Sequence, residues 1–259
     1  MLTISVVSHR HGVLVKELLG DIQRHVRLPV RIILTINVQE PLEFRPGDYA
    51  FPLDFVHNPA PKGFGANHNA AFARCQDPYF CILNPDISFR ADPFSPLVSA
   101  LRGDAALGIV SPLVRNAAAE VEATSRRFPT PQFILRKALF GPPKTPDYPI
   151  GRNAISADWI GGMFMLMPAK VFSSVGGFDE RYFMYYEDVD LCARVRAAGF
   201  DIRLDPAASV VHAARRDSHR RPRYLLWHLR SMLRFWYSHP YVLSRRSKSP
   251  QRKKEKRAG

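Results

Sequence analysis

The first hundred residues alternate between two hydrophobic rhythms. Leu2 to Ser8, Arg31 to Ile36, Leu53 to His57 and Tyr79 to Leu83 are short apolar runs rich in branched and aromatic residues, the pattern of strands. Between them, Val13 to Val26 carries apolar residues at helical spacing, and Gly65 to Arg74 is Ala-rich and helical. This alternation predicts an α/β domain, a mostly parallel central sheet flanked by helices. Ligands of such sheets bind beyond the carboxyl ends of the strands. Asn84-Pro85-Asp86 follows the fourth strand at that end.

The second half is less regular. Pro129 to Asn153 is punctuated by Pro and Gly and reads as a long loop. Met163 to Met167 reads as a strand leading to Pro168 at a helix start, and Gly176-Gly177 as a turn. Glu187 to Ala198 is expected to be a helix, with acids in its first turn and Gly199 just past its end. Ile202 to Leu204 and Ser209 to Val211 read as two short strands. Arg223 to Tyr237 is a helix with Arg223, Arg230 and Arg234 along one stripe and Leu225, Leu226, Leu229, Met232, Leu233 and Trp236 elsewhere. Such a helix suits a membrane interface; it also suits a place on the core with its arginines in water. Ser244 to Gly259 is basic, poor in hydrophobes and expected to be disordered.

Charge sharpens the picture of that end. The formal net charge is +14, and residues 215–259 hold fifteen Lys and Arg against two acids, so the remaining body is nearly neutral. The pattern points to an anionic surface met by the C-terminus, phospholipid or nucleic acid. A neutral body without an RNA-type motif argues against nucleic acid. The N-terminus lacks the basic-apolar-small order of a signal peptide. No apolar run approaches the roughly 18 residues that span a bilayer. Cys75, Cys81 and Cys192 show neither Cys-x-x-Cys pairing nor metal-ligand spacing, as expected of reduced thiols. A cytoplasmic protein is expected.

Four constellations carry candidate chemistry. Asp86, at a strand end behind a proline, would suit a hard cation such as Mg²⁺ or Mn²⁺ that also binds diphosphate oxygens; Asn-Pro-Asp is equally a plain turn. Glu187-Asp188 opens a helix after the aromatic run Tyr182 to Tyr186. Acids there are stabilised by orphan backbone donors and the helix dipole, and the ionised form they favour is the one a general base needs. His212 could ligate a metal, with Arg215 and Arg216 near phosphate. Lys62-Gly63-Phe64-Gly65-Ala66-Asn67 is a glycine loop opening a helix, apt for close approach to a ligand.

In this order the elements resemble the inverting glycosyltransferases of family 2, which have the GT-A fold. The matching residues are Lys62-Gly63-Phe64-Gly65 with Asn67 and Asn69, Leu83 to Asp86, Asp158 to Gly162, Gly176 to Glu180, Tyr186 to Leu191, and His212. The likeness runs from Leu2 to about Pro240. Ser8-His9, Arg127-Phe128-Pro129 and Trp227 to Ser231 are most similar to bacterial rhamnosyltransferases of cell-surface polysaccharide assembly. The resemblance implies a catalytic domain over 1–221, with a nucleotide-sugar half of about 1–90 and an acceptor half of about 91–221. A basic amphipathic helix over 222–243 and the tail 244–259 complete the chain.

It also implies the site. Asp188, with Glu187 beside it, matches the acid block holding the catalytic base, and Asp86 and His212 match the metal positions. Ser8, His9, Asn37, Lys62, Gly63, Phe64, Gly65, Asn67, Asn84, Pro85, Asp86 and Arg127 would face the donor, and Trp159, Gly161, Gly162 and Tyr186 the acceptor. The implied donor is dTDP-L-rhamnose and the implied acceptor a polyprenyl-diphosphate-linked N-acetylglucosamine, so the chain would sit peripherally on the inner face of the plasma membrane. One position departs: Ile36 stands where the family usually carries an acid that contacts the nucleotide base. A catalytically silent partner subunit with the same fold is the alternative this departure leaves.

Overall fold

The computed structural model describes residues 1–141, 145–213 and 222–244. Strand β1 (Leu2–His9), helix α1 (Gly12–His25), β2 (Val30–Val38), β3 (Leu53–His57), α2 (Phe64–Phe72) and β4 (Tyr79–Leu83) follow the hydrophobic rhythms closely. Next come β5 (Ile87–Ser88), α3 (Phe94–Gly103), β6 (Leu107–Arg115), β7 (Ser125–Arg126) and α4 (Pro131–Phe140). They are followed by β8 (Ile155–Ser156), β9 (Trp159–Ile160), β10 (Phe164–Pro168), α5 (Ala169–Ser174) and α6 (Glu187–Ala197). The chain closes with β11 (Asp201–His212), α7 (Pro222–Ser238) and α8 (Pro240–Ser244).

The main sheet runs β3-β2-β1-β4-β10-β6-β11-β5, with β8 added to β11; β7 and β9 form a separate pair. The sheet is mixed and mostly parallel. β3, β2, β1 and β4 are all parallel, and so are β6 and β11, whereas β10 lies antiparallel between β4 and β6. This reversal places the start of β10 at the same edge as the carboxyl ends of β1, β2, β4, β6 and β11. Everything nominated at those chain positions is thereby gathered along one edge.

Two apolar clusters cover the two faces. One joins Val15, Leu18 and Ile22 of α1 and Leu97, Val98 and Leu101 of α3 to the sheet. The other joins Val171, Phe172, Val189, Leu191, Val195 and Phe235 of α5, α6 and α7 to the opposite face.

Two expectations are corrected. The stretch 129–153 is not one loop, because α4 occupies its first half. Thr130 Oγ1 accepts from Phe133 N at 3.2 Å and Pro131 stands at the first helical position, where its missing N–H costs nothing. The prolines there open a helix. The strands expected at 202–204 and 209–211 are one strand, β11. Its register shifts between Asp205 and Ser209, around Pro206, which cannot donate to the ladder.

Helix α7 packs on the core with one face and leaves another face exposed. Ser231, Met232 and Phe235 are buried, and His239, just past its end, bonds Asp190 Oδ1 at 2.7 Å. Leu225, Leu226, Leu229, Leu233 and Tyr237 form an exposed apolar stripe, and Arg230 is exposed beside it. Arg234 lies half-buried, 5.8 Å from the Tyr182 ring centroid. The side chain of Arg223, and the residues Arg215 and Arg216, lie outside those described, as does the tail from 245 onward. Among the described residues no helix is long and apolar enough to cross a membrane.

Candidate active site

The loop from Lys62 to Gly65 is braced by amides. Asn37, at the end of β2, donates from Nδ2 to the Lys62 carbonyl at 3.0 Å and accepts at Oδ1 from Lys62 N at 2.8 Å and Asn58 Nδ2 at 2.9 Å. Asn67 accepts from Asn58 Nδ2 at 2.6 Å and donates to the Gly63 carbonyl at 3.0 Å. Both amides are buried, so they shape the Lys62 to Gly65 loop from behind. The glycines are explained differently from the expectation. A Cβ on Gly63 would lie 2.7 Å from the Phe183 carbonyl oxygen, and one on Gly65 would lie 2.6 Å from Phe178 Cβ. Their close approach is to the 178–183 segment of this chain, which Phe64 N also binds through the Phe183 carbonyl at 3.1 Å.

The Gly177 to Leu191 block is held on α2 and α6. Gly177 has φ +66°, and a Cβ there would meet Asn69 Oδ1 at 2.6 Å. Asn69 brackets the Phe178 backbone, accepting from its N at 2.8 Å and donating to its carbonyl at 2.9 Å. Asp190 is buried against Arg194 and His239 and is structural. Tyr185 and Tyr186 both have φ +68°, an unfavourable conformation for bulky residues. His228 of α7 packs on both rings and Phe235 on Tyr186, while Ser231 Oγ donates to the Met184 carbonyl. Tyr186 is thus buried beneath α7 and does not face an acceptor as expected, a further correction. α7 holds the strained turn that delivers the acid pair.

At that turn Asp188 Oδ2 accepts from Gly162 N at 3.0 Å and Oδ1 from Val189 N at 2.8 Å. Glu187 is buried and its Oε2 has no partner. Burial and the neighbouring Asp188 push Glu187 up, to about 8. Burial pushes Asp188 up as well, opposed by the Gly162 and Val189 N–H groups and by the charge of Arg126. The Gly162 and Val189 N–H groups and the charge of Arg126 favour ionised Asp188, against only its own backbone N–H for Glu187, so the pair keeps its proton on Glu187 and its negative charge on Asp188. A raised carboxyl contributes stability that is full below its ordinary pKa and is lost as pH rises through the folded value. The Glu187 contribution to stability should therefore fall between about pH 5 and about pH 8, by at most about 1.4 kcal/mol per pH unit, and lower the melting temperature with it. Glu187→Gln should flatten that slope, as differential scanning calorimetry at several pH values would show; an unchanged slope would place the titration elsewhere.

The other half of the site is the strand end after β4. Ile87 N bonds the Asn84 carbonyl at 3.3 Å, so Asn84-Pro85-Asp86 is indeed a turn. Yet its carboxylate is placed, with Oδ2 3.3 Å from His212 Nε2 and Oδ1 buried without a partner. Burial pushes Asp86 up, but the hydrogen bond and charge of His212, with His11 nearby, outweigh it and hold the carboxyl below its usual range. Burial lowers His212, but Asp86 and Glu122, the latter 3.0 Å from Nδ1, raise it above its usual value.

A chain of bonds joins the two halves. Gly162 N holds Asp188, the adjacent Met163 carbonyl accepts from Asn84 N at 2.9 Å, and Gly161 N bonds the Thr124 carbonyl at 3.0 Å. Thr124 lies two residues from Glu122, which returns to His212. Its hydroxyl, like that of Ser125, is buried without a partner. Trp159 Nε1 donates to the Arg127 carbonyl at 2.8 Å, which fixes the indole against the end of β7. Arg127 itself turns away, with its N on Asp147 and its guanidinium 5.7 Å from the Tyr148 ring centroid. Its neighbour Arg126 is the residue whose charge reaches Asp188. Burial, followed by His11 and Arg10, lowers the pKa of His9, which lies beside Asn37. Ile36 is fully buried, but Glu40 supplies an acid just beyond β2, bonded to Ser8 Oγ and to Gly12 N.

No family model matches the chain. Individual proteins do. It is 30% identical to the rhamnosyltransferase WbbL of Escherichia coli K12 over 91% of this chain and 92% of that one. The chain belongs to the WbbL family of glycosyltransferases. This glycosyltransferase is also 26% identical to the N-acetylglucosaminyl-diphospho-decaprenol L-rhamnosyltransferase of Mycobacterium tuberculosis H37Rv, over 86% of this chain and 79% of that one. Solved structures show the same GT-A fold at low identity. GalNAc-T7 with UDP, GalNAc and Mn²⁺ superposes with a TM-score of 0.70 at 14% identity, covering 92% of this chain and 47% of that one. The mannosyltransferase PcManGT of Pyrobaculum calidifontis with GDP-Man and Mn²⁺ gives 0.65 at 16% identity, covering 96% of this chain and 66% of that one.

Proposed function

We propose that the enzyme transfers L-rhamnose from dTDP-L-rhamnose to N-acetylglucosamine on a polyprenyl diphosphate, with inversion. What carries this reading is the pairing at one sheet edge of an ionised acid on two backbone donors, Asp188, with a strand-end carboxylate that has an unfilled oxygen, Asp86. The activities of the two bacterial relatives support the sugar, and that of the mycobacterial one supports the acceptor.

In this reading Asp188 removes the proton of the acceptor hydroxyl as that oxygen attacks the anomeric carbon. Neutral Glu187 leaves the charge of the pair on Asp188. Ser8, His9 and the loop from Lys62 to Gly65 border the nucleotide, with Asn37 and Asn67 positioning that loop, and Asn84 and Pro85 present Asp86 to the diphosphate. Trp159 with the Gly161-Gly162 turn borders the acceptor sugar, and the charge of Arg126 reaches Asp188.

The residues fit a divalent cation, Mg²⁺ or Mn²⁺. A buried, ionised carboxylate oxygen without a donor is a hard-cation ligand in waiting, and His212 Nε2 faces the same carboxylate. Among the described residues no group of three or more His, Cys, Asp and Glu side chains is arranged to hold a metal. Asp86 and His212 would supply two ligands, leaving the rest to diphosphate and water. A cation there would neutralise the leaving diphosphate. Incubating the enzyme with Mn²⁺, dTDP-L-rhamnose and a lipid-linked N-acetylglucosamine should yield a rhamnosylated lipid by mass spectrometry; transfer only from another nucleotide sugar would overturn the donor assignment.

The exposed stripe of α7 supports a peripheral place on an anionic membrane, where a lipid-linked acceptor resides. It is bracketed in sequence by basic runs at 215–223 and 245–257. Deleting α7 would remove buried Met232 and Phe235, so the test is at the surface. Leu226→Asp with Leu233→Asp should abolish sedimentation with phosphatidylglycerol vesicles at unchanged melting temperature. Full sedimentation of that variant would exclude the stripe as the contact.

A further inference from the structure

The motif residues leave Glu122 unassigned, although it closes the chain of bonds around the site. Its Oε2 lies 3.0 Å from His212 Nδ1, while His212 Nε2 lies 3.3 Å from Asp86 Oδ2. The imidazole is therefore held between two carboxylates, one on each ring nitrogen. The two acids are not equivalent. Asp86 keeps a buried oxygen without a partner. Glu122 is anchored through its backbone, N to the Val114 carbonyl and carbonyl to Thr124 N, both at 2.9 Å. It lies beside β6, the parallel neighbour of the strand that ends at His212.

We propose that Glu122 is the positioning residue of the cation site: it takes the Nδ1–H of His212 and thereby turns Nε2 toward the cation that Asp86 shares. The proposal rests on the reading of Asp86 and His212 as cation ligands. A carboxylate behind a ligating histidine fixes its tautomer and ring orientation, and its loss typically weakens metal binding by about 10- to 100-fold. Glu122 does this without touching the cation or the sugar. The assignment also explains why an acid outside every motif is kept half-buried against a histidine 90 positions away.

The test is Mn²⁺ binding to the full chain, with and without dTDP, by calorimetry. Glu122→Ala should weaken Mn²⁺ by about 10- to 100-fold. Glu122→Gln, whose amide oxygen still accepts from Nδ1–H, should stay much closer to wild type. Imidazole nitrogen shifts of His212 in the Mg²⁺-loaded protein should report the Nδ1–H tautomer in wild type and Glu122→Gln, and a tautomer mixture in Glu122→Ala. Wild-type Mn²⁺ affinity in a folded Glu122→Ala, or equal losses in both variants, would overturn the positioning role alone. No Mn²⁺ binding by the wild type, with or without dTDP, would overturn the cation reading and this inference together.

Discussion

Replacing Asp188 by Asn should lower turnover by about 10²- to 10⁴-fold while dTDP and Mn²⁺ still bind. The carboxamide is nearly isosteric, so the start of α6 and its seat against the Gly162 turn persist. Its oxygen can satisfy only one of the two backbone donors that now hold Asp188, Gly162 N and Val189 N, and it cannot accept a proton at neutral pH. The loss should fall on turnover, with the donor's dissociation constant changed by less than about threefold, because Asp188 acts on the acceptor side. Glu187→Gln should be far milder, since Glu187 already holds a proton at neutral pH. Steady-state kinetics with calorimetry on the same preparations decide the matter. Near-normal turnover in Asp188→Asn, or a larger loss in Glu187→Gln, would exclude Asp188 as the base.

The second large effect is expected at the other end of the site. Asp86→Ala removes the carboxylate whose buried oxygen lacks a donor, and leaves His212 facing an empty strand end. Mn²⁺ should then no longer strengthen dTDP binding, and turnover should fall by at least about 10²-fold, the scale of losing one preorganised electrostatic group. The fold should hold, because the turn is closed by backbone bonds of Asn84 and Ile87 and by the Asp86 carbonyl to Ala213 N at 3.0 Å. Calorimetric titration of dTDP with and without Mn²⁺ reads the effect. An undiminished Mn²⁺ enhancement in the variant would remove Asp86 from the cation site.

How much of this was legible before the structure depends on range. The parallel half, β1 to β4 with α1 and α2, declares itself locally, because buried parallel strands are continuous apolar runs and their helices are amphipathic. Asp86 and Asp188 were reachable too, since each stands at an element's end. α4 was hidden because Pro129, Pro131 and Gly141 carry the same turn signals whether they bound a helix or fill a loop. β11 was split by Pro206, which bends a strand without ending it. The glycines at 63 and 65 were read toward a ligand, yet their requirement is the backbone and side chain of the 178–183 segment, which sequence distance conceals. Tyr186 is expected at the acceptor through the resemblance alone; only the packing of α7 shows it buried. Glu122 and Arg126 gave no motif at all. Each reaches the site because β6 and β11 are parallel neighbours and β7 pairs with β9, contacts set by topology.

Asp188 as a base, acting in one displacement beside a cation-held diphosphate, makes a stereochemical claim. The measurement that tests it most directly is the anomeric configuration of the rhamnosyl product, read by NMR on product made by the wild-type enzyme from dTDP-L-rhamnose of known configuration. The account predicts a configuration opposite to that of the donor. A product with the donor's configuration would contradict it, because retention requires a second displacement or a nucleophile that this arrangement of Asp188 and Glu187 does not provide.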